Sequence, residues 1–286
     1  MPRREEPRPM FDEITDLKIK GYLEAFVTNT VEKYRGRNIP ISSPSEYLNQ
    51  TSPKAQLKPF HAAIIPPELM RVSEFERGFS TRLGTTFEEC ARLIAMNHYQ
   101  EAHRGYDING DVSTAALSEI EHQVSQFEHA VEQNKQRPSL DQMISAVLNA
   151  RHGPAQPLRV RADLFFLAYD GTEYYFEVKS PQPNKGQCVE VTQRLLRIHL
   201  LRSSPRPQVQ AFFAMAYNPY GRTRDTYRWS FARNYLLFDE IVVLGSEFWK
   251  IVGGGDASTD ERLLALYQDV GRQKTKYMLD SLAFGL

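Results

Sequence analysis

Residues 158–168 (LRVRADLFFLA) and 172–179 (TEYYFEVK) are two runs rich in β-branched and aromatic residues, joined by Tyr169-Asp170-Gly171. Runs of this composition around a short glycine-containing link read as a β-hairpin. The length of the link then fixes which residues face one another. A three-residue loop built on a type I turn needs a left-handed residue at its third position, and Gly171 adopts that conformation without a Cβ clash. Counting outward, Ala168 faces Thr172 and Asp163 faces Glu177. Alternation along the strands places Lys179 on the side of Glu177. Ala162, Leu164, Phe166, Tyr174, Phe176 and Val178 point to the other side. A two-residue Asp170-Gly171 loop would set Asp163 against Val178 and disperse the charges. The three-residue register is preferred because it gives one apolar face and one charged face.

Two carboxylates side by side repel, so one of them holds its proton more tightly unless a cation lies between them. A hard divalent ion such as Mg²⁺ suits the gap, since it accepts one or two carboxylates and keeps waters for the rest of its shell. Lys179 would then stand beside the ion, where an ammonium can orient water or hold charge developing on phosphorus. Such a patch is suited to phosphodiester cleavage. The alternative is a plain ion pair of Asp163, Glu177 and Lys179 on a solvated hairpin face. Against it, the hairpin is strongly apolar, and Lys179 is followed by Ser180-Pro181-Gln182-Pro183-Asn184-Lys185-Gly186 and a long apolar helical pattern.

Asp163 with Glu177-Val178-Lys179 resembles the bipartite metal motif of the PD-(D/E)xK nuclease superfamily, which includes most type II restriction endonucleases. The proline that usually precedes the aspartate is Ala162 here, a departure that touches no ligand. The words KSPQPNKGQ (179–187), YNPYG (217–221) and GSEFWKIVGG (245–254) resemble more narrowly the TdeIII/MjaII group of restriction enzymes. The resemblance implies that Asp163, Glu177 and the carbonyl of Val178 bind metal and that Lys179 positions the nucleophile. It further implies that a glutamate on the helix before the hairpin assists, holding a second metal or a metal-bound water. Glu88 in GTTFE matches that role best, and Glu89 is the fallback. A recognition sequence like GGNCC and a cognate DNA methyltransferase in the same system, without a physical complex, are likewise implied by the resemblance alone.

The formal net charge of the 286 residues is zero, which argues against coating of nucleic acid by bulk electrostatics. The distribution is uneven. Residues 1–150 hold 17 Lys/Arg against 21 Asp/Glu, residues 151–233 hold 13 against 6, and residues 234–286 hold 5 against 8. Positive charge therefore gathers around the hairpin, as a polyanion-binding site requires. The expected DNA contacts are Lys185, with Arg194 and Arg197 on the helix after the hairpin, and Arg222, Arg224 and Arg228 in YNPYGRTRDTYRW. That last segment also holds Tyr220, Tyr227 and Trp229, and arginines there suit either guanine edges or phosphates. The chain has no long apolar run and no apolar signal region at its start, so a cytoplasmic protein with no membrane contact is expected. Cys90 and Cys188 lie in apolar helical patterns and read as buried reduced thiols.

Residues 1–10 read as disordered, and 13–34 as an amphipathic helix carrying Ile14, Leu17, Leu23, Phe26, Val27, Val31 and Tyr34. Residues 36–68 read as an extended connection anchored by Phe60, Ile64 and Ile65. A helix follows over 73–97, with Ser73 and Glu76 as its capping box and Leu83, Phe87, Cys90 or Ala91, and Ile94 as its buried stripe. Residues 107–113 (DINGDVS) look like a calcium loop but lack its turn glycine and its bidentate glutamate, so a polar loop is expected. Helices are expected over 114–133, 139–150 and 187–202, strands over 208–217 and 241–244, and a short helix over 246–252. The seven histidines show no metal-ligand spacing.

These elements predict an α/β fold, a mixed β-sheet flanked by helices of the restriction endonuclease-like type with a helical amino-terminal half. The expected organisation is a single nuclease domain over 1–286, with a mainly helical part at 11–150, a catalytic α/β core at 151–254 and carboxy-terminal helices at 255–286. The expected function is that of a type II restriction endonuclease, Mg²⁺-dependent, acting on double-stranded DNA as a homodimer. A repair nuclease or junction resolvase of the same fold, or a DNA-binding module without catalysis, would fit the same residues.

Overall fold

A computed structural model describes residues 12–35, 49, 59–203 and 208–282. The expected disorder of residues 1–10 and most of the expected connection over 36–68 lie outside the described residues. The chain divides into two compact units, Met1–Asp16 with Phe87–Leu263, and Leu17–Thr86 with Leu264–Leu286.

The larger unit is built on one mixed sheet with strand order β1-β2-β3-β4-β5. Its strands are β1 (Glu101–Ser113), β2 (Ala155–Leu167), β3 (Glu173–Val178), β4 (Val209–Met215) and β5 (Val242–Leu244). β1, β2 and β3 run antiparallel in sequence, whereas β3, β4 and β5 are parallel. The mixed α/β architecture with a helical amino-terminal half is the one the sequence predicts.

The hairpin has the expected register. Gly171 sits at φ +85°, its N–H donates to Ala168 O (3.0 Å), and Ala168 N–H donates to Thr172 O (2.9 Å). Leu164 therefore pairs with Phe176 and Phe166 with Tyr174. The expectation of one apolar and one charged face is corrected, because both faces are covered. Leu164, Phe166 and Phe176 are buried on one side, and Phe165 and Tyr175 on the other. Asp163, Glu177 and Lys179 lie at the end of the hairpin away from the turn, while the buried Glu173, paired with Arg202, lies at the turn end.

The expected polar loop over 107–113 is instead the second half of β1. It pairs with β2 from Asp107↔Arg161 to Ser113↔Ala155. Ile108 and Val112 are buried while Asp107, Asn109 and Asp111 are not, the period of a strand with one wet face. The polar residues hide that period because Asp, Asn and Gly are depleted in strands.

A parallel β3–β4 pair needs a crossover connection. It is helix α6 (Lys185–Leu201), after α1 (Glu13–Tyr34), α2 (Pro59–Ile64), α3 (Pro67–Ala95), α4 (Thr114–Glu132) and α5 (Leu140–Asn149). Asn184 and Gln187 close the start of α6 as a reciprocal capping box. Cys188, Val191, Leu195, Leu196 and Ile198 are buried on it. They join Ile120, Val124 and Phe127 of α4, Met143 and Val147 of α5, and Val160, Tyr175 and Phe213 of the sheet in one core cluster. Both cysteines are buried and unbridged, and burial pushes the Cys188 thiol up to about 12.

The smaller unit carries most of α1 and the first turns of α3, and ends with most of the helix Thr259–Leu282. Phe26 and Phe79 pack at 5.2 Å, Tyr277 donates to Glu32 (2.7 Å), and Lys20 pairs with Asp269 (2.5 Å). Several expectations fail here. Ile14 and Leu17 are exposed, so the buried stripe of α1 runs through Ile19, Leu23, Val27 and Val31. Ser73 and Glu76 lie inside α3, which starts at Pro67, so they cap nothing; Glu76 accepts from Ser80 Oγ (2.7 Å). Phe60 and Ile64 are exposed on α2, not anchored. Among the described residues no helix is long and apolar enough to cross a membrane.

A Cβ at Gly171 would meet nothing within 4 Å, so its only requirement is the positive φ. Gly171→Ala should therefore cost about 1 kcal/mol, the penalty of a left-handed alanine, in urea unfolding, and leave DNA cleavage unchanged.

Candidate active site

At the end of the hairpin away from the turn the β2–β3 ladder stops at Leu164↔Phe176, one pair short of Asp163 and Glu177. The Asp163 carboxylate takes over the next rung, its Oδ2 accepting the Val178 N–H at 2.9 Å. Val178 itself pairs with Ala214 on β4. Glu177 lies one register position from the ladder's end with its side chain 1% exposed.

That buried carboxylate is held by two cations. Lys179 Nζ is 2.6 Å from Glu177 Oε1, and 3.9 Å from Asp163 Oδ2. Arg194, from the crossover helix, reaches the same Glu177 Oε1 at 2.6 Å and Glu190 Oε1 at 2.6 Å. The second oxygen, Glu177 Oε2, is buried and has no partner among the described residues. Burial raises the Asp163 carboxyl above its usual range, Lys179 and the Val178 N–H oppose the rise, and Glu88 adds to it. Burial also raises Glu177, with the neighbouring Asp163 charge next, while Lys179 and Arg194 pull it down.

The structure thus brings Asp163, Glu177, Val178 and Lys179 together and adds Arg194, which the sequence reading assigned to DNA. Its signal was present in the Glu190–Arg194 spacing, a helical i,i+4 pair that turns the guanidinium toward carboxylates. Glu88 lies near enough for its charge to act on Asp163, yet its carboxylate is taken by Arg104, with Nη2 at 2.9 Å and Nε at 3.2 Å. Glu89 pairs with Arg92 (2.5 Å) and Arg104 (3.4 Å). Among the described residues no three acidic, histidine or cysteine side chains form a metal-sized cluster. Two carboxylates, one of them with an orphaned buried oxygen, still fit a hard cation that keeps water ligands.

The other basic candidates are placed as follows. Lys185 pairs with Glu132 (3.0 Å) and Glu128 (3.2 Å) of α4 and lies over the Tyr235 ring. Arg197 is half-buried with its Nε lacking a partner among the described residues. Arg222 is exposed and pairs with Glu261 (2.5 Å). Arg228 is exposed and donates to Asp225 O and Tyr227 O within its own loop.

Arg224 is an internal clamp. It donates to Glu247 Oε1 (2.8 Å), Phe238 O (3.0 Å) and Val242 O (2.5 Å), with its guanidinium 5.0 Å from the Phe238 ring centroid. Two aromatic residues of the same segment are also internal, whereas Tyr217 and Tyr220 are exposed. Tyr227 is fully buried and donates to Pro181 O (2.5 Å), and Trp229 Nε1 donates to Pro183 O (2.7 Å). Residues 217–229 therefore pin the stretch that follows Lys179. Their spacing shows no apolar period because their contacts are hydrogen bonds to a neighbouring loop.

A family model described as "Type II restriction endonuclease, HinfI" matches residues 19–271. Curated relatives from Herpetosiphon aurantiacus are of similar length. The type II restriction enzyme HgiEI is 42% identical over 94% of this chain and 97% of its own. The type II restriction enzyme HgiCII is 42% identical over 94% of this chain and 98% of its own. The type II restriction enzyme HgiBI is 41% identical over 94% and 97%. The broad sequence-based resemblance, to restriction enzymes, agrees with these matches; they name the HinfI family, whereas the short words pointed to the TdeIII/MjaII group.

Arg224→Ala leaves Glu247 and two backbone carbonyls without their donor, so it should lower stability by about 2 kcal/mol in denaturant unfolding. Arg224→Lys, which cannot reproduce the forked donors, should recover little of that loss.

Proposed function

From the premise that this chain belongs to the HinfI family of type II restriction endonucleases, site-specific endodeoxyribonucleases, we propose that the end of the β2–β3 hairpin is its catalytic centre. We assign that centre to the PD-(D/E)xK type. The observation that carries the assignment is the buried, unpartnered Oε2 of Glu177 beside Asp163. A buried charged oxygen without a partner is costly unless something completes it. Mg²⁺ held by Asp163, Glu177 and the Val178 carbonyl would acidify a water and shield charge on the phosphate.

The chain's own groups do the rest. Asp163 is oriented by the Val178 N–H, so one oxygen is fixed and the other is left to a ligand. Arg194 and Lys179 share Glu177 Oε1 and oppose the rise in its pKa that burial causes. Arg194 also binds Glu190 and is anchored on α6, whereas Lys179 can leave Glu177 to orient a water or meet the phosphate. Glu88 would reach the site only by exchanging Arg104 for a metal-bound water.

Double-stranded DNA is cut on both strands, and one centre serves one strand, so a C2 homodimer is the simplest working assembly. Arg222 and Arg228 keep enough exposure to meet DNA, whereas the unpartnered Nε of the half-buried Arg197 is itself buried. A cytoplasmic location and a DNA methyltransferase that protects the host's own sites complete the reading. We keep residues 1–286 as one functional nuclease built around the 151–254 core.

Asp163→Asn and Glu177→Gln should each abolish plasmid cleavage while leaving duplex binding in EDTA intact or stronger, since a negative charge near phosphate is removed. Retained cleavage would refute the assignment. Lys179→Ala should lower the single-turnover rate by ~100-fold or more. Sedimentation of the free protein and of its DNA complex should give a dimer.

The pH dependence follows from the two raised carboxyls. A group whose folded pKa is raised stabilises the fold at low pH and loses that contribution as pH rises through the folded value. Without metal, the pair should therefore cost stability at neutral pH, and Asp163→Asn should hold or raise the Tm there. Because a cation needs both carboxylates ionised, the Tm increase given by Mg²⁺ should shrink as pH falls from neutral toward the raised pKa values of the pair. It should be absent in Asp163→Asn throughout.

A further inference from the structure

β2 outruns β3. Residues 155–161 pair only with 107–113 of β1, so the two strands continue past the rest of the sheet as a two-stranded ribbon. One face of that ribbon is packed, with Ile108, Val112 and Val160 in the core cluster. The opposite face is exposed and carries Asn109, Asp111, Arg159 and Arg161 around Asp107.

The two arginines differ from the cations of the basic tract that carboxylates fully match. Lys185 is matched by two carboxylates, Arg194 by two, Arg224 by Glu247 and carbonyls, and Arg222 by Glu261. Arg159 and Arg161 share a single carboxylate. Asp107 Oδ2 is 2.8 Å from Arg159 Nη2 and 3.6 Å from Arg161 Nη1. Their side chains are 66% and 63% exposed, and Arg159, whose Nε and Nη2 both donate to Asp107, holds the Asp107 carboxyl below its ordinary value, with the Arg161 charge adding to this. The trio therefore carries an excess positive charge, with Asp107 hydrogen-bonded to Arg159 and in longer ionic contact with Arg161.

Backbone geometry fixes Arg161 further. Gly105, at φ +60°, stands opposite Asp163 where the β1–β2 pairing skips a position between Arg104↔Leu164 and Tyr106↔Ala162. A Cβ at Gly105 would collide with the Arg161 guanidinium, so the glycine leaves the space that this side chain fills. A side chain two residues before Asp163 on the same strand is thus laid across the position opposite Asp163.

We propose that the outward face of the β1–β2 ribbon is a phosphate clamp for the DNA duplex. Arg161 and Arg159 contact backbone phosphates flanking the scissile bond, with Asp107 holding their orientation. A two-stranded ribbon is narrow enough to follow a DNA groove, and arginine forks match phosphate oxygens. The clamp presupposes the nuclease reading above and adds to it the surface that seats the duplex.

The test is salt-dependent binding of a mixed-sequence duplex in EDTA, with plasmid cleavage in Mg²⁺ run in parallel. Each arginine-to-alanine change should weaken cognate and mixed-sequence DNA alike and flatten the plot of log affinity against log salt by ~0.9, the double variant by about twice that. Arg161→Lys should keep the slope, Asp107→Asn should strengthen mixed-sequence binding, and single-turnover cleavage at saturating protein should fall by far less in the alanine variants than in Lys179→Ala. Unchanged thermal unfolding establishes that the ribbon is intact. A double alanine variant with the wild-type slope overturns the clamp, as does a loss confined to cognate DNA, which would make the arginines base readers. A wild type that neither binds nor cuts duplex DNA overturns the nuclease reading itself, and an Asp163→Asn protein that binds normally but does not cut separates the two.

Discussion

The side chain of Glu177 is a charge in a place where charges are expensive. It is 1% exposed, in a sheet covered on both faces, and its ionised form is tolerable only because two cations converge on one of its oxygens. The rest of the larger unit can be read as the means of bringing them there. β3 is the pivot of the sheet, antiparallel to β2 on one side and parallel to β4 on the other. The antiparallel neighbour places Asp163 next to Glu177. The parallel neighbour obliges the chain to cross over through α6, and the crossover carries Arg194 to the carboxylate. Lys179 comes from the strand's own end, and the stretch after it is tied by Tyr227 and Trp229.

Such a centre gives the positive charge of residues 151–233 a different meaning from the one its composition suggests. Thirteen basic residues against six acidic ones read as an open polyanion surface. In the fold, several of the basic residues turn to acidic partners supplied by other parts of the chain, Lys185 to α4, Arg222 to Glu261 and Arg224 to Glu247. Net charge by segment records where cations enter the sequence and says nothing of where their partners come from. Arg159 and Arg161, by contrast, share the one carboxylate of Asp107, and the proposed clamp rests on that imbalance.

How much of this was legible in the sequence follows the range of the forces involved. The hairpin was legible because its register depends on a three-residue loop and the positive φ of Gly171, both local. The crossover helix and the parallel strands were legible from apolar spacing. β1 was not, since DINGDVS has the residues of a loop and becomes a strand only because β2 offers it a full-length partner. The role of Arg224 was hidden for the same reason: Glu247, Phe238 and Val242 are remote in sequence and meet it only after β5 is in place. Asp163, Glu177 and Lys179 could be named from the sequence because the hairpin alone brings them together. Arg194, a helix away, could be found but not given its task.

One geometric detail links the stability of the site to its chemistry. The ladder between β2 and β3 ends one pair before the two carboxylates, and the Val178 N–H, which a continuing ladder would have given to a carbonyl, goes to Asp163 instead. A backbone donor in that position orients the carboxylate without neutralising it, while burial keeps its pKa raised. Asp163 and Glu177 are therefore rigidly placed and electrostatically uncomfortable together. Sites of this kind violate the rule that buried charges be matched, and proteins retain such violations where a ligand completes the match. An apolar pair at 163 and 177 would suit the fold better, and a fully paired one would leave no oxygen free. The ladder's early end and the orphaned Glu177 Oε2 give the intermediate case, in which a buried oxygen is left open to the cation proposed above.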